Sequence, residues 1–367
     1  MDSQTEKNMT FEATNTTILA CGLTGLKPLS GSTGQLITVI ATTVFILAGN
    51  AINLAILGTT KSLRTAHGYL LSALAIGGFI VGCNATLSIY PVVTKCWLYG
   101  TIICQLSAYL FEFCMVFNLF IVVLLSGERY IAIVNPLKYR VLITKTKTKI
   151  AIGVSTMISC VFLTILAVTQ PEFEYKPRQY VCRRTKNDDI RGAFMALSSI
   201  LLIFSFAVVS YTSVTMLRAV VRRSNESKRL FEGVHASHIQ SNASMVSAQN
   251  SRIFKVTVLI ATTFYISWIP AIVGAILNVA DPNILESSPI FEFAAQWLLI
   301  SNTLFNTLIY FFMLKLFRVR AKEISAQLCC CLCFVVKGIR RADPSTNSDN
   351  RLAVELTVFP KGTTSNI

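Results

Sequence analysis

Charge is scarce in this chain. Asp, Glu, Lys and Arg make up 14 % of its 367 residues, where a soluble domain carries about a quarter. Apolar residues reach 53 %, and the mean hydropathy is +0.58, a composition that excludes an ordinary soluble domain and fits a membrane protein. Histidine occurs three times, scattered, and no CxxC pair stands with matching histidines, so neither a metal nor a cofactor is expected. No membrane-embedded ligand set or nucleophile–base pair is present, which argues against an enzyme. Residues 1–34 hold no apolar run long enough for a secretory h-region, since Thr17–Leu23 is too short. The first span is therefore expected to serve as its own insertion signal.

What the chain does have is long apolar runs. They cover about Leu36–Thr59, Tyr69–Val93, Ile102–Val134, Ile150–Thr169, Ala193–Val220, Ile253–Val279 and Phe291–Leu314. Each exceeds the roughly 18 residues that separate a spanning helix from a buried soluble one. The expected fold is an all-α membrane protein, a seven-transmembrane helix bundle. An odd span number, no internal repeat and no charged pathway argue against a transporter. The net charge of +15 sits mostly in short clusters between the apolar runs, which fits positive loops better than nucleic-acid binding. Loops 1–2, 3–4 and 5–6 carry two, five and seven Lys or Arg, the last count including Arg218 and Lys255 at the adjoining span ends, against one, six and none in the loops opposite. That excess, with a basic tail on the same side, places the N-terminus outside. The sequons at Asn8 and Asn15 are then usable, whereas Asn84, inside the second span, is expected to stay bare.

One stretch anchors the functional reading. Cys104–Tyr139 reads CQLSAYLFEFCMVFNLFIVVLLSGERYIAIVNPLKY, with Cys104 and Arg129 25 positions apart and Pro136-Leu137 and Tyr139 following the Glu128-Arg129-Tyr130 triplet. It resembles the third helix of a rhodopsin-class (class A) G-protein-coupled receptor. Gly49-Asn50 in the first span and Cys96-Trp97 with Gly100 before the third are similar to the same family. So are Phe264 with Ser267-Trp268-Ile269-Pro270 in the sixth span and Asn306 with Tyr310 in the seventh. The resemblance implies a cell-surface receptor that binds a small molecule or short peptide and activates a heterotrimeric G protein. A non-signalling or scavenging receptor is the alternative.

Several roles follow from the resemblance. Cys104 pairs with Cys182; Cys21 and Cys96 are a second candidate pair, and Cys83, Cys114 and Cys160 are inert buried residues. Glu128, Arg129 and Tyr130 form the switch that meets the G protein, with Tyr211, Phe264, Trp268, Pro270, Asn306 and Tyr310 as the relay. The ligand pocket is lined by Phe111, Glu112, Met115, Trp268, Ile272, Gln296 and Trp297. A covalent retinal is excluded, because no lysine lies between Lys255 and Lys315 and Ile300 stands where the Schiff-base lysine would be.

Other positions depart from the family pattern. Gly78 replaces the acid that holds a sodium ion, Ile203 replaces the proline of span five, and Thr307 replaces the proline of the NPxxY run. Without that proline, span five is expected to be a fully hydrogen-bonded helix without the usual bulge.

The remaining segments divide the chain further. Residues 1–34 form the extracellular N-terminus, 35–314 the bundle, 315–328 a short amphipathic eighth helix on the inner face of the bilayer, and 329–367 the cytoplasmic tail. Cys329, Cys330, Cys331 and Cys333 are candidate palmitoylation sites, where two or more acyl chains anchor stably. Val221–Ser251 and the tail after Arg341 are polar and expected to lack structure. Tail Ser and Thr residues suit arrestin recruitment, and the terminal Ser365-Asn366-Ile367 suits a PDZ domain.

Two expectations follow. With Gly78 in place of the acid, replacing a bulky organic cation by sodium should leave agonist affinity and basal output unchanged; a clear loss of agonist affinity in sodium would contradict this. Asn250 occupies about the place where many relatives carry a second acidic restraint on the switch arginine. Asn250→Glu should therefore lower basal second-messenger output, and an unchanged output would count against that missing restraint.

Overall fold

The computed structural model describes residues 33–169, 173–184, 188–231, 258–277, 288–313 and 317–323. Seven long helices run through it: α1 Thr33–Thr59, α2 Ala66–Thr94, α3 Gly100–Val134, α4 Lys145–Thr169, α5 Asp188–Phe231, α6 Val258–Leu277 and α7 Pro289–Met313. A short α8 covers residues 317–323. The first six contain stretches long and apolar enough to cross a bilayer. The seventh is a 25-residue helix, about 37 Å long at 1.5 Å per residue, and buries Gln296, Asn302 and Asn306 among its apolar residues. The bundle lies within a compact unit ending at Ala321, after which a second unit begins at Lys322.

Local chemistry explains the irregular points. In α2, residues Thr86–Ser88 tighten into a 3-10 turn before the last segment Ile89–Thr94. Pro91 lies in that segment; it has no N–H, and its ring crowds the carbonyl of Leu87. Gly100 opens α3 at φ +77°, a left-handed conformation that glycine adopts at no steric cost. Asn135 ends α3 with non-helical dihedrals, and Pro136 starts the short helix Pro136–Leu142 at its first turn. As expected for a span without proline, α5 is one uninterrupted α-helix.

The helix continues further than its apolar run. Val221–Phe231, expected to lack structure, is the last part of α5. Arg222 donates to Glu226 one turn on at 2.7 Å, the kind of pair that extends an exposed helix. The bundle is not helical throughout either. Phe173–Lys176 (β1) and Val181–Arg184 (β2) form an antiparallel hairpin in the loop between α4 and α5, with Tyr175 opposite Cys182. Cys83, Cys114 and Cys160 carry free thiols, but only Cys114 is buried; Cys83 and Cys160 are exposed on the bundle, which corrects their assignment to the core.

Polar side chains join α1 to α7. Asn50 donates to the Ile46 carbonyl at 2.8 Å and accepts from the Thr307 hydroxyl at 3.1 Å. Thr307 in turn accepts from Asn53 at 3.2 Å. Gly49 makes room for this contact, since a Cβ there would lie 2.7 Å from Thr307 Cγ2. Gly77 and Gly78 do the same on α2: a Cβ on the first would meet Asn118 Oδ1 at 2.2 Å, and on the second Asn50 Oδ1 at 2.7 Å. Thr307, in the proline position, thus donates to an α1 side chain and lies 3.4 Å from the Thr303 carbonyl.

Gly49→Ala should lower the thermal midpoint, because Thr307 is β-branched and cannot move its methyl aside cheaply; overpacking of this kind costs about 1–3 kcal/mol. Adding Thr307→Ser, which keeps the hydroxyl and removes the methyl, should recover most of the loss. A double variant that melts no higher than Gly49→Ala alone would refute the contact.

Candidate functional site

The described bundle has a chemically organised region at each end of α3. At its last turns Glu128 is 3 % exposed and gathers three partners. Arg129 donates through Nε at 2.6 Å to one carboxylate oxygen and through Nη2 at 3.1 Å to the other. Tyr139 donates from its hydroxyl at 2.5 Å. His67 brings Nδ1 to 3.1 Å, a hydrogen bond that requires the proton on Nδ1, since an ionised carboxylate only accepts. Each partner comes from a different place. Arg129 is on α3 itself, His67 is in the first turn of α2 just after its N-cap Thr65, and Tyr139 is delivered by the short helix that Pro136 begins. Burial, followed by the hydrogen bond to Glu128, raises the Tyr139 phenol above its ordinary value, so it stays a donor.

The other inner residues are less connected. The Tyr130 and Tyr211 rings lie 6.2 Å apart between α3 and α5. Phe264 is 1 % exposed, with its ring 4.9 Å from Phe206 of α5 and 5.8 Å from Trp268 one turn on. Asn118, Asn302 and Asn306 are all buried. No hydrogen bond joins them among the described residues, and both polar atoms of Asn118 stand without a partner. Asn306 is thus placed in the bundle centre, whereas the bonds there run between α1 and α7.

The end of α3 away from Glu128 is roofed by the hairpin. Cys104 and Cys182 form a disulfide across 78 residues with Cα atoms 5.4 Å apart, tying β2 to α3. Further contacts reach other helices. Trp297 of α7 donates to the Gln179 carbonyl at 3.0 Å, Arg183 donates to Gln296 Oε1 at 2.7 Å, and Arg178 lies 3.9 Å from Glu292. Tyr180 occupies a left-handed conformation, φ +59°, unusual for a bulky residue. Its buried side chain accounts for it: the hydroxyl donates to Gln35 of α1 at 2.7 Å and receives the Lys95 amine. Trp97 stacks on Tyr175 with centroids 5.8 Å apart, and burial raises the Tyr175 phenol. Cys96 is also disulfide-bonded; its partner, like Cys21, lies outside the described residues.

Beneath this roof, Phe111, Met115 and Trp297 share one buried cluster with Tyr180 and Phe293, and Trp268 packs against it. Gln296 joins through Arg183. Glu112 and Ile272 lie outside that cluster, half-buried, and Glu112 has no ion-pair or hydrogen-bond partner among the described residues. Asn84 donates its amide to the Ser107 carbonyl at 3.0 Å. On α8, Phe317 and Ala321 are buried one turn apart while Arg318 and Arg320 are exposed, an amphipathic pattern. Asn8, Asn15, Cys329, Cys330, Cys331, Cys333 and Asn250 lie outside the described residues, as does the side chain of Tyr310.

Sequence reasoning missed three participants. His67 was passed over as one of three scattered histidines; its signal is its place beside a helix cap at the inner end of α2. Tyr139 belonged to the motif without a partner assigned to it. Arg183 was one of several basic loop residues, although its position next to the bridged Cys182 marked it as held over the bundle.

The sequence matches the family described as 7 transmembrane receptor (rhodopsin family) over residues 49–310. Among curated proteins it is 26 % identical to the Tachykinin-like peptides receptor 99D of Drosophila melanogaster, over 75 % of this chain and 54 % of that receptor. It is also 26 % identical to the High-affinity lysophosphatidic acid receptor of Xenopus laevis, over 75 % and 77 %. The Growth hormone secretagogue receptor type 1 of Homo sapiens is 25 % identical, over 78 % and 79 %. The chain spans 54 % and 60 % of the length of the two tachykinin-like receptors it matches. In fold it resembles squid rhodopsin, with a TM-score of 0.70, 17 % identity, and 83 % of this chain and 88 % of that one covered. A match over that much of the chain, on a seven-helix bundle of the same architecture, places it: the chain belongs to the rhodopsin family of seven-transmembrane receptors.

Proposed function

We propose that the chain is a plasma-membrane receptor, with its N-terminus outside, that binds an extracellular small molecule or short peptide under the hairpin and activates a heterotrimeric G protein through Arg129. The observation that carries this reading is the arrest of Arg129 by the buried Glu128 carboxylate at the inner end of α3. A carboxylate that is 3 % exposed needs partners. When the helices part and Arg129 leaves, His67 and Tyr139 remain to satisfy it, which lowers the cost of releasing the guanidinium toward a partner. The relatives' names, which include tachykinin-like peptides and lysophosphatidic acid, support a short peptide or small lipid as the ligand class. Phe111, Glu112, Met115, Trp268, Ile272, Gln296 and Trp297 line the site in this reading. Trp268, Phe264, Pro270, Tyr211, Asn306 and Tyr310 transmit ligand contact inward. Residues 1–34, 315–328 and 329–367 serve as outer terminus, inner-face helix and cytoplasmic tail, with arrestin and a PDZ domain as further partners.

The test is a G-protein-dissociation assay against small amines, indoles, lipids and short peptides. A response found there should fall to background in Arg129→Ala at equal surface expression. A variant that signals like the parent would end the switch role, and epitope mapping that finds the C-terminal tail outside the cell would end the topology.

A further inference from the structure

Among the described residues, Arg183 is a cation held over the bundle without an acid. Its backbone neighbours Cys182, which is bridged to α3, and its side chain reaches α7, where Nη1 donates to the neutral amide oxygen of Gln296. Among the described residues the nearby carboxylates are otherwise engaged or absent from it. Glu174, opposite Arg183 in the ladder, binds Lys176, Glu292 faces Arg178, and Glu112 pairs with nothing described. Arg183 is half-buried, and a guanidinium has five N–H donors, so one bond to an amide leaves most of them for another acceptor.

Gln296 shows the same shortage from the other side. It is 2 % exposed and its oxygen is taken by Arg183, while its Nε2 is buried with no acceptor among the described residues. The Trp268 Nε1 is likewise buried without one. A buried donor left unpaired has lost its water without gaining an acceptor, so a ligand that supplies one is favoured. Phe293, Gln296, Trp297 and Ile300 follow one another at helical spacing and are all buried, so Gln296 shares the inward stripe of α7 with the apolar cluster that holds Phe111 and Met115. A cation and an amide N–H with unused donors therefore adjoin an apolar wall.

We propose that Arg183 and Gln296 form an oxyanion subsite: the ligand presents a carboxylate or phosphate to the Arg183 guanidinium and the Gln296 Nε2–H, and lays an apolar body against Phe111, Met115 and Trp268. This rests on the receptor reading of the bundle and assigns the sign of the ligand's charge. A planar guanidinium beside an amide N–H suits such a group because it can donate two parallel bonds. The apolar wall rejects a bare inorganic anion, which would have to leave water without gaining packing.

The full chain in phosphatidylcholine nanodiscs provides the test. Its melting temperature is measured with dodecanoic acid and dodecyl phosphate against dodecanol, and with an acetylated Phe-Leu dipeptide as free acid against its amide. At least one acid should raise the midpoint where its neutral partner does not, and the acid that does so identifies the source as acyl, phosphate or peptide terminus. Arg183→Gln should weaken that binding about 10- to 100-fold, the size of a lost bond to a charged group, and Arg183→Lys should keep part of it. Gln296→Glu supplies an internal anion that occupies Arg183, so it should also abolish the shift while holding the hairpin in place; it serves where Arg183→Gln does not fold. Equal shifts from the neutral partners, shifts that survive both Arg183→Gln and Gln296→Glu, or no shift from any acid would overturn the subsite. Binding without G-protein release would leave the subsite standing and count against signalling. Release driven by a neutral or cationic ligand and insensitive to Arg183→Gln would do the reverse.

Discussion

A carboxylate buried at the end of a membrane helix has to be paired, and one end of this helix bundle is arranged around that need. Glu128 cannot reach bulk water, and hydrocarbon offers no donors. Its two oxygens accept from α3, from the start of α2 and from the short helix after α3. Removing one partner of a buried ion pair typically costs about 3–5 kcal/mol, so these segments are held in register by one anion. The packing above it follows from α3, which touches α2, α4, α5, the short helix and both strands. The disulfide fixes the other end of the same helix. One helix is thus tied by a covalent bond at one end and by charge at the other, and relative movement of its neighbours has to work against both.

The middle of the bundle solves the same problem without charge. Where relatives of the family pattern carry an acid, Gly78 lets the Asn50 amide pack flush against the α2 backbone. Where they carry a proline, Thr307 supplies the hydroxyl that Asn50 and Asn53 need. The departures at Gly78 and Thr307 are therefore two sides of one arrangement, a neutral amide–hydroxyl chain between α1 and α7. Neutral groups lose less on leaving water than a carboxylate does. The chain consequently keeps helix-to-helix hydrogen bonds in its core without requiring a counter-ion there.

The outer hairpin shows why a loop can be as well placed as a helix. Tyr180 and Phe293 sit in the buried cluster with Trp297, and Tyr180 accepts a left-handed backbone to get there. Its bonds to Gln35 and Lys95, with those from Trp297 and Arg183, bind the roof to α1, α2 and α7. Among the described residues these polar tethers do not extend to α6, which carries Trp268.

Much of this was legible in the residues because the membrane imposes simple rules. Seven apolar runs, their basic flanks, the Cys104-to-Arg129 spacing and the missing lysine in span seven each follow from one-dimensional pattern, since every span must satisfy its own backbone and every charge must sit at a boundary. Pattern could also say that α5, lacking its proline, would be uninterrupted. It could not say that α5 goes on to Phe231, because an exposed helix is extended by side-chain pairs such as Arg222 with Glu226 rather than by apolarity. Nor could it assign His67 to Glu128, Thr307 to Asn50 or Arg183 to Gln296. Those partners are 61, 257 and 113 residues apart in sequence. The amino-acid order by itself determined which segments are long and apolar enough to cross a bilayer and which residues carry the family's pattern. The packing of the helices decided who pairs with whom, because hydrogen bonds and ion pairs act over a few ångströms in space and carry no trace in the spacing of residues that far apart.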